Sequence, residues 1–77
     1  MTGKISTQDF TGMYSKASEV FVNSREIRFG QALFNVLFEI NSDVANEIRG
    51  TKYDPFYNKE NIPNFIEYLL IGEADEN

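Results

Sequence analysis

Side chains able to do acid–base, nucleophilic or metal chemistry are scarce in this chain of 77 residues, which has no His and no Cys. Imidazole catalysis, thiolate nucleophiles, disulfides, and zinc or haem sites of the Cys/His kind are thereby excluded. Carboxylates remain. Glu39 and Glu47 stand eight residues apart across an expected helix break, with nothing to pair them. Asp43, Glu47 and Asp54 do not follow the spacing of a calcium loop, and no glycine-rich phosphate cradle is present. Neither an enzyme nor a bound cofactor or metal is expected.

Recognition chemistry is more concentrated. The stretch GTKYDPFYNKENIP, residues 50–63, sets Tyr53, Phe56 and Tyr57 around an Asp54-Pro55 step, beside Arg49, Lys52 and Lys59. Tyr and Arg are enriched at interaction hot spots. Aromatic rings also supply the large buried area that a small domain needs. The two uses divide naturally here: Phe56 is expected inside, and one tyrosine at the rim with its hydroxyl wet. Upstream, Arg28, Gln31, Asn35 and Glu39 form the polar strip of an otherwise apolar helix. The strip is read as a solvated face, as a hydrogen-bonding ridge on which Arg28 or Gln31 holds the Asp54 turn, or as a contact site. The candidate partner-binding residues are Arg28, Gln31, Asn35, Arg49, Lys52, Tyr53 and Tyr57.

The elements that must position these residues are legible from apolar spacing. Phe10, Met13, Tyr14, Ala17, Val20 and Phe21 recur at the interval of one helix face, which predicts a first helix over 8–22, capped by Thr7 or Asp9. Ser24 then caps a second helix over 25–40. At about 100° per residue, Phe29, Ala32, Leu33, Val36, Leu37 and Ile40 share one face, with Ile27, Phe34 and Phe38 opposite. A helix this apolar must be enclosed by the rest of the chain or by a second copy. Gly30 within it costs about 1 kcal/mol relative to Ala, which close approach of another backbone would justify. NSDVANEIRG predicts a short third helix, capped by Asn41 or Ser42 and stopped at Gly50. Ile62, Phe65, Ile66, Leu69 and Leu70 predict a fourth, with Pro63 in its first turn and Gly72 as its stop. Asp54-Pro55 is a helix or turn start, the Asp oxygen accepting a backbone N–H and Pro presetting φ, so DPFY itself reads as a single helical turn. The fold expected is all-α: one compact bundle of about four helices, two long and two short, around the nearly fully apolar second helix. It occupies 8–71, between a flexible N-terminus at 1–7 and a flexible acidic tail at 72–77.

Charge narrows the partners. The net charge is −5, but Glu73, Asp75 and Glu76 fall in the last residues, and before them nine acids face seven bases. That body has no basic field to draw phosphates. The third helix, were it to read DNA, would present Asp43 and Glu47 to the backbone, so nucleic acid is disfavoured. No apolar run reaches the roughly 18 residues of a membrane span, and MTGKISTQDF has no signal-peptide centre. A cytoplasmic protein with no membrane partner is expected.

Arg28, Gly30 and Gln31, then Gly50, Thr51, Asp54, Pro55, Phe56 and Tyr57, then Ile62 and Pro63 carry a resemblance. Over about residues 28–65 the chain resembles small phage and prophage proteins that share Arg-x-Gly-Gln followed by Gly-Thr-x-x-Asp-Pro-Phe-Tyr and Ile-Pro. The resemblance implies a phage-type accessory protein, in the host cytoplasm if phage-encoded, and names no reaction. Taken with the residues, it leads to a non-enzymatic module that binds and modulates a host or phage protein. The alternatives are a homodimer joined through Ile27, Phe34 and Phe38 and a nucleic-acid-associated regulator.

Overall fold

The computed structural model describes residues 4–72, and no strand occurs among them. Four helices follow one another: α1 at Thr7–Asn23, α2 at Phe29–Ile40, α3 at Ser42–Ile48 and α4 at Ile62–Ile71, the last preceded by a 3₁₀ turn at Lys59–Asn61. The architecture is the all-α bundle expected from the apolar spacing.

α1 is capped by Ser6, not by Thr7 or Asp9. Ser6 has extended backbone angles, and its hydroxyl oxygen accepts the Asp9 N–H at 3.0 Å. Thr7 and Asp9 are already helical and no longer have the geometry of a cap. The residues ahead of the cap are tied down as well. The N–H groups of Lys4 and Ile5 donate to the Leu69 carbonyl at 2.8 and 3.4 Å, and Ile5 packs on the core. Within the segment 1–7 expected to be flexible, Lys4 and Ile5 are thus held against α4, while residues 1–3 and 73–77, the acidic tail included, lie outside the described residues. On the apolar face of α1, Met13 and Ala17 are fully buried, whereas Tyr14 and Phe21 stay 40% and 44% exposed.

α2 begins at Phe29, four residues later than expected. Ser24 ends α1, its N–H reaching the Phe21 carbonyl at 3.4 Å, and Arg28 is the extended N-cap of α2, with φ −84° and ψ 156°. Helix propensity favours Arg25–Arg28, but tertiary packing overrides it. The bent connection leaves Ile27 half-buried on the core and sets Phe29 beside Tyr14 and Phe21, with ring centroids 5.3 and 5.6 Å away, both edge-on. α2 supplies Ala32, Leu33, Phe34, Val36 and Leu37 to the core, against Met13 and Ala17 of α1, Val44, Ala45 and Ile48 of α3, and Phe65, Tyr68 and Leu69 of α4. Its enclosure is incomplete at the far end, where Ile40, expected on the core face, is 48% exposed and Phe38 39%.

Asn41 joins two helices. Its N–H closes the last turn of α2 on the Leu37 carbonyl at 2.7 Å, and its side-chain oxygen accepts the Val44 N–H at 3.2 Å to open α3. Gly50 follows α3 at φ +78° and Gly72 ends α4 at φ +98°, backbone conformations that suit glycine. The radius of gyration is 11.8 Å, close to the roughly 11.5 Å expected for a compact chain of this length. No helix among the described residues is long and apolar enough to cross a membrane.

Candidate interaction surface

The loop between α3 and α4 is built around Asp54. Its side chain is buried, at 8% exposure, and no cation pairs with it among the described residues. Backbone dipoles hold it instead: Oδ2 accepts the Gly50 N–H at 2.7 Å and Oδ1 the Phe56 N–H at 2.9 Å. The second bond is an Asx-turn, the local chemistry for which Asp precedes a tight bend. Asn61 Nδ2 donates to the Asp54 carbonyl at 2.9 Å and ties the far end of the loop to the same residue. Thr51 adds a third tie, its hydroxyl donating to the Ile48 carbonyl at 2.6 Å and accepting from the Tyr53 N–H at 3.1 Å. DPFY is consequently not a helical turn. The helical turn falls later, at Lys59–Asn61, where the Asn58 oxygen accepts the Glu60 N–H at 2.9 Å.

Gly30 explains how this loop reaches α2. Pro55 is buried directly against it, and a Cβ at position 30 would collide with the Pro55 carbonyl oxygen. Glycine at this helical position is thus required by close backbone approach, as its sequence context suggested. With Pro55 fixed, Phe56 lies edge-on to Phe34, centroids 5.7 Å apart at 87°. Tyr57 turns the other way and is 83% exposed, its ring braced edge-on against Phe56 at 4.7 Å. Phe56, expected inside, is only half-buried, while Tyr57 is the tyrosine that stands in water.

Two of the hollows that Tyr57 lines have further aromatic rings in their walls. The larger, about 720 Å³, runs between the α1–α2 connection and the loop, with Phe21, Phe29, Pro55 and Phe56 in its walls and Arg25, Arg28 and Lys59 also lining it. The smaller, about 280 Å³, is bounded by Phe34, Asn35, Phe38, Arg49 and Phe56. The Arg49 guanidinium stands over the Phe34 and Phe38 rings at 5.6 and 5.4 Å, close enough for cation–π attraction.

The structure gathers four of the seven candidate residues here: Arg28 in the larger hollow, Asn35 and Arg49 in the smaller, and Tyr57 in both. Gln31 is half-buried, and its Oε1 accepts the Arg28 N–H across a long 3.4 Å. Neither it nor Arg28 holds the Asp54 turn, so the ridge reading of the polar strip fails: backbone N–H groups do that work. Lys52 and Tyr53 line neither hollow. Tyr53 stacks on Tyr68 at 4.3 Å, with Lys52 Nζ 5.4 Å from the Tyr53 ring centre. Beneath them Tyr68 donates its hydroxyl to Glu47 Oε1 at 3.0 Å, and Lys4 Nζ lies 3.7 Å from the same oxygen. Burial, and then the hydrogen bond and negative charge of Glu47, push the Tyr68 hydroxyl above the usual tyrosine pKa, with Lys4 opposing.

Phe21, Arg25 and Phe38 were not among the sequence candidates for partner binding. Phe21 and Arg25 flank the Asn-Ser break, and recognising 25–28 as a connection would have placed them together. Phe38 was assigned with Ile27 and Phe34 to a face for a second copy, but Phe34 is only 5% exposed and not free to meet one. Comparison with protein-family models, curated proteins and solved structures gives no match to this chain.

Proposed function

We propose that the chain is a non-enzymatic protein-interaction module, an accessory factor of phage type that binds and modulates a host protein. One observation carries the reading. Tyr57 is held out at 83% exposure on a loop fixed by the Asp54 hydrogen bonds, between two aromatic-walled hollows edged by arginines. An exposed ring on a fixed seat loses little conformational entropy on docking, and tyrosine and arginine are enriched among the residues that carry binding energy at interfaces. The phage-type assignment rests on the Arg-x-Gly-Gln and Gly-Thr-x-x-Asp-Pro-Phe-Tyr resemblance, whose residues meet at the Gly30–Pro55 contact. The test is affinity capture from host lysate with wild type and Tyr57→Ala. One or a few proteins held by wild type and released by the variant are expected. Identical captures, or none, while both proteins give the same helical circular dichroism, refute the reading.

A further inference from the structure

The charge of the larger hollow specifies what enters it. We infer that it receives an acidic segment of a partner protein, whose carboxylates meet Arg25, Arg28 and Lys59 while an aromatic or aliphatic side chain sits on the ring-lined floor. This inference rests on the interaction-module reading and adds the chemistry of the partner.

Three features support it. First, the hollow reverses the sign of the molecule. The chain is −5 overall, yet three cations line this one space against a single acid, Glu60. Second, these cations have no carboxylate engaged. The ion pairs among the described residues are Lys4–Glu47 and Lys16–Glu39, and neither involves Arg25, Arg28 or Lys59. Arginine forks match carboxylates in bidentate geometry. Third, the floor is apolar and only partly covered, with Phe21 at 44% exposure beside half-buried Ile27, Phe29 and Ile62. A peptide with acids flanking one bulky apolar residue satisfies both parts. A nucleic acid would also find cations and rings here. It carries a charge at every residue, however, and beyond three cations it would meet a net-negative molecule.

The experiment pans a library of short random peptides on the wild-type protein, then measures the winners by fluorescence anisotropy and amide chemical-shift mapping. Enriched peptides should carry Asp or Glu around an aromatic or aliphatic residue and shift the amides of Phe21, Arg28 and Tyr57. They should lose affinity about tenfold or more on Arg25→Glu/Arg28→Glu, with weaker binding as salt rises. Amide spectra of the variant, whose substituted side chains are both exposed, verify that the fold persists. The inference is overturned by winners without acidic bias, by shifts confined to the Asn35–Phe38 hollow, or by labelled oligo-dT binding more tightly than the peptides through the same residues. If peptides map elsewhere, or none is enriched while Tyr57→Ala still releases a captured host protein, the acidic-segment claim falls and the interaction module stands. Blank results in both experiments overturn both.

Discussion

At the scale of single residues, Gly30 and Asp54 decide whether Tyr57 is presented. Alanine is ordinarily about 1 kcal/mol better than glycine inside a helix. At position 30 the sign reverses, because the added Cβ would meet the Pro55 carbonyl oxygen, with Pro55 Cβ 3.2 Å away. Backbone cannot rotate aside as a side chain does. Gly30→Ala is expected to destabilise by about 1 to 3 kcal/mol, read as a lower urea midpoint, and to displace the loop. A midpoint at or above wild type would show that the contact is loose. Asp54→Ala removes the acceptor of two N–H groups, each costing about 1 to 3 kcal/mol if left buried and unpaired. Asp54→Asn keeps one acceptor oxygen and should fall between alanine and wild type. Equal losses for the two variants would mean that one remaining acceptor does not hold the turn and that both carboxylate oxygens are needed. Both glycine and aspartate were legible in the sequence, Gly30 as a site of close backbone approach and Asp54 as an acceptor for a backbone N–H. Asp54 offered several partners, and which backbone groups it meets depends on how the chain after Gly50 bends.

At the scale of elements, the sequence pattern identified all four α-helices of the described residues, and the errors fall at their ends and in the turn of the α3–α4 loop, expected at DPFY and found at Lys59–Asn61. The interior of α2 was legible because Ala32, Leu33, Val36 and Leu37 repeat on one face. Its start was not, since Arg25–Arg28 has helical propensity and only tertiary packing, Ile27 on the core and Phe29 against the rings of α1, bends it out of the helix. The candidate site suffered from the same boundary, which hid the proximity of Phe21 and Arg25 to Tyr57. Asn41 is the shared cap of α2 and α3, and Asn41→Ala should cost about 1 kcal/mol in denaturant unfolding. Tyr68 links α4 to α3 through Glu47 and brings a pH dependence. Its hydroxyl pKa is raised in the folded state above an unfolded value near 10, so folding favours the protonated form. The resulting stability is fully present below about pH 10 and is lost as pH climbs through the higher folded value. Tyr68→Phe should be about 1 kcal/mol less stable at neutral pH and show a shallower alkaline decline. An unchanged slope would assign that decline to other groups.

At the scale of the whole molecule, the bundle is closed by Lys4 and Ile5, ahead of α1. α1 packs principally on α2, and α2 on α3, while α4 meets α1 across a smaller contact. The segment at Lys4–Ile5 lies across that weaker side. It gives two N–H groups to the Leu69 carbonyl, sets Ile5 on the core and brings Lys4 to Glu47 beneath the Tyr53–Tyr68 stack. The ion pair is partly exposed and adds little. The two backbone bonds, which share one carbonyl, contribute about 1 kcal/mol together, and the Ile5 burial about 1 kcal/mol more. In a domain this small, total stability is expected to be only several kcal/mol, so the segment is a sizeable share of it. A chain beginning at Ser6 keeps the α1 cap and every helix, and should still lose about 2 kcal/mol, lowering the melting temperature by roughly 8–16 °C. Hydrogen exchange should locate the loss, with protection falling first at the C-terminal turn of α4 and the Gly50–Asn61 loop keeping its order. If instead the loop amides of Gly50 and Phe56 exchange first, the N-terminal segment supports the Tyr57 surface from a distance, and α4 is not the element that it closes.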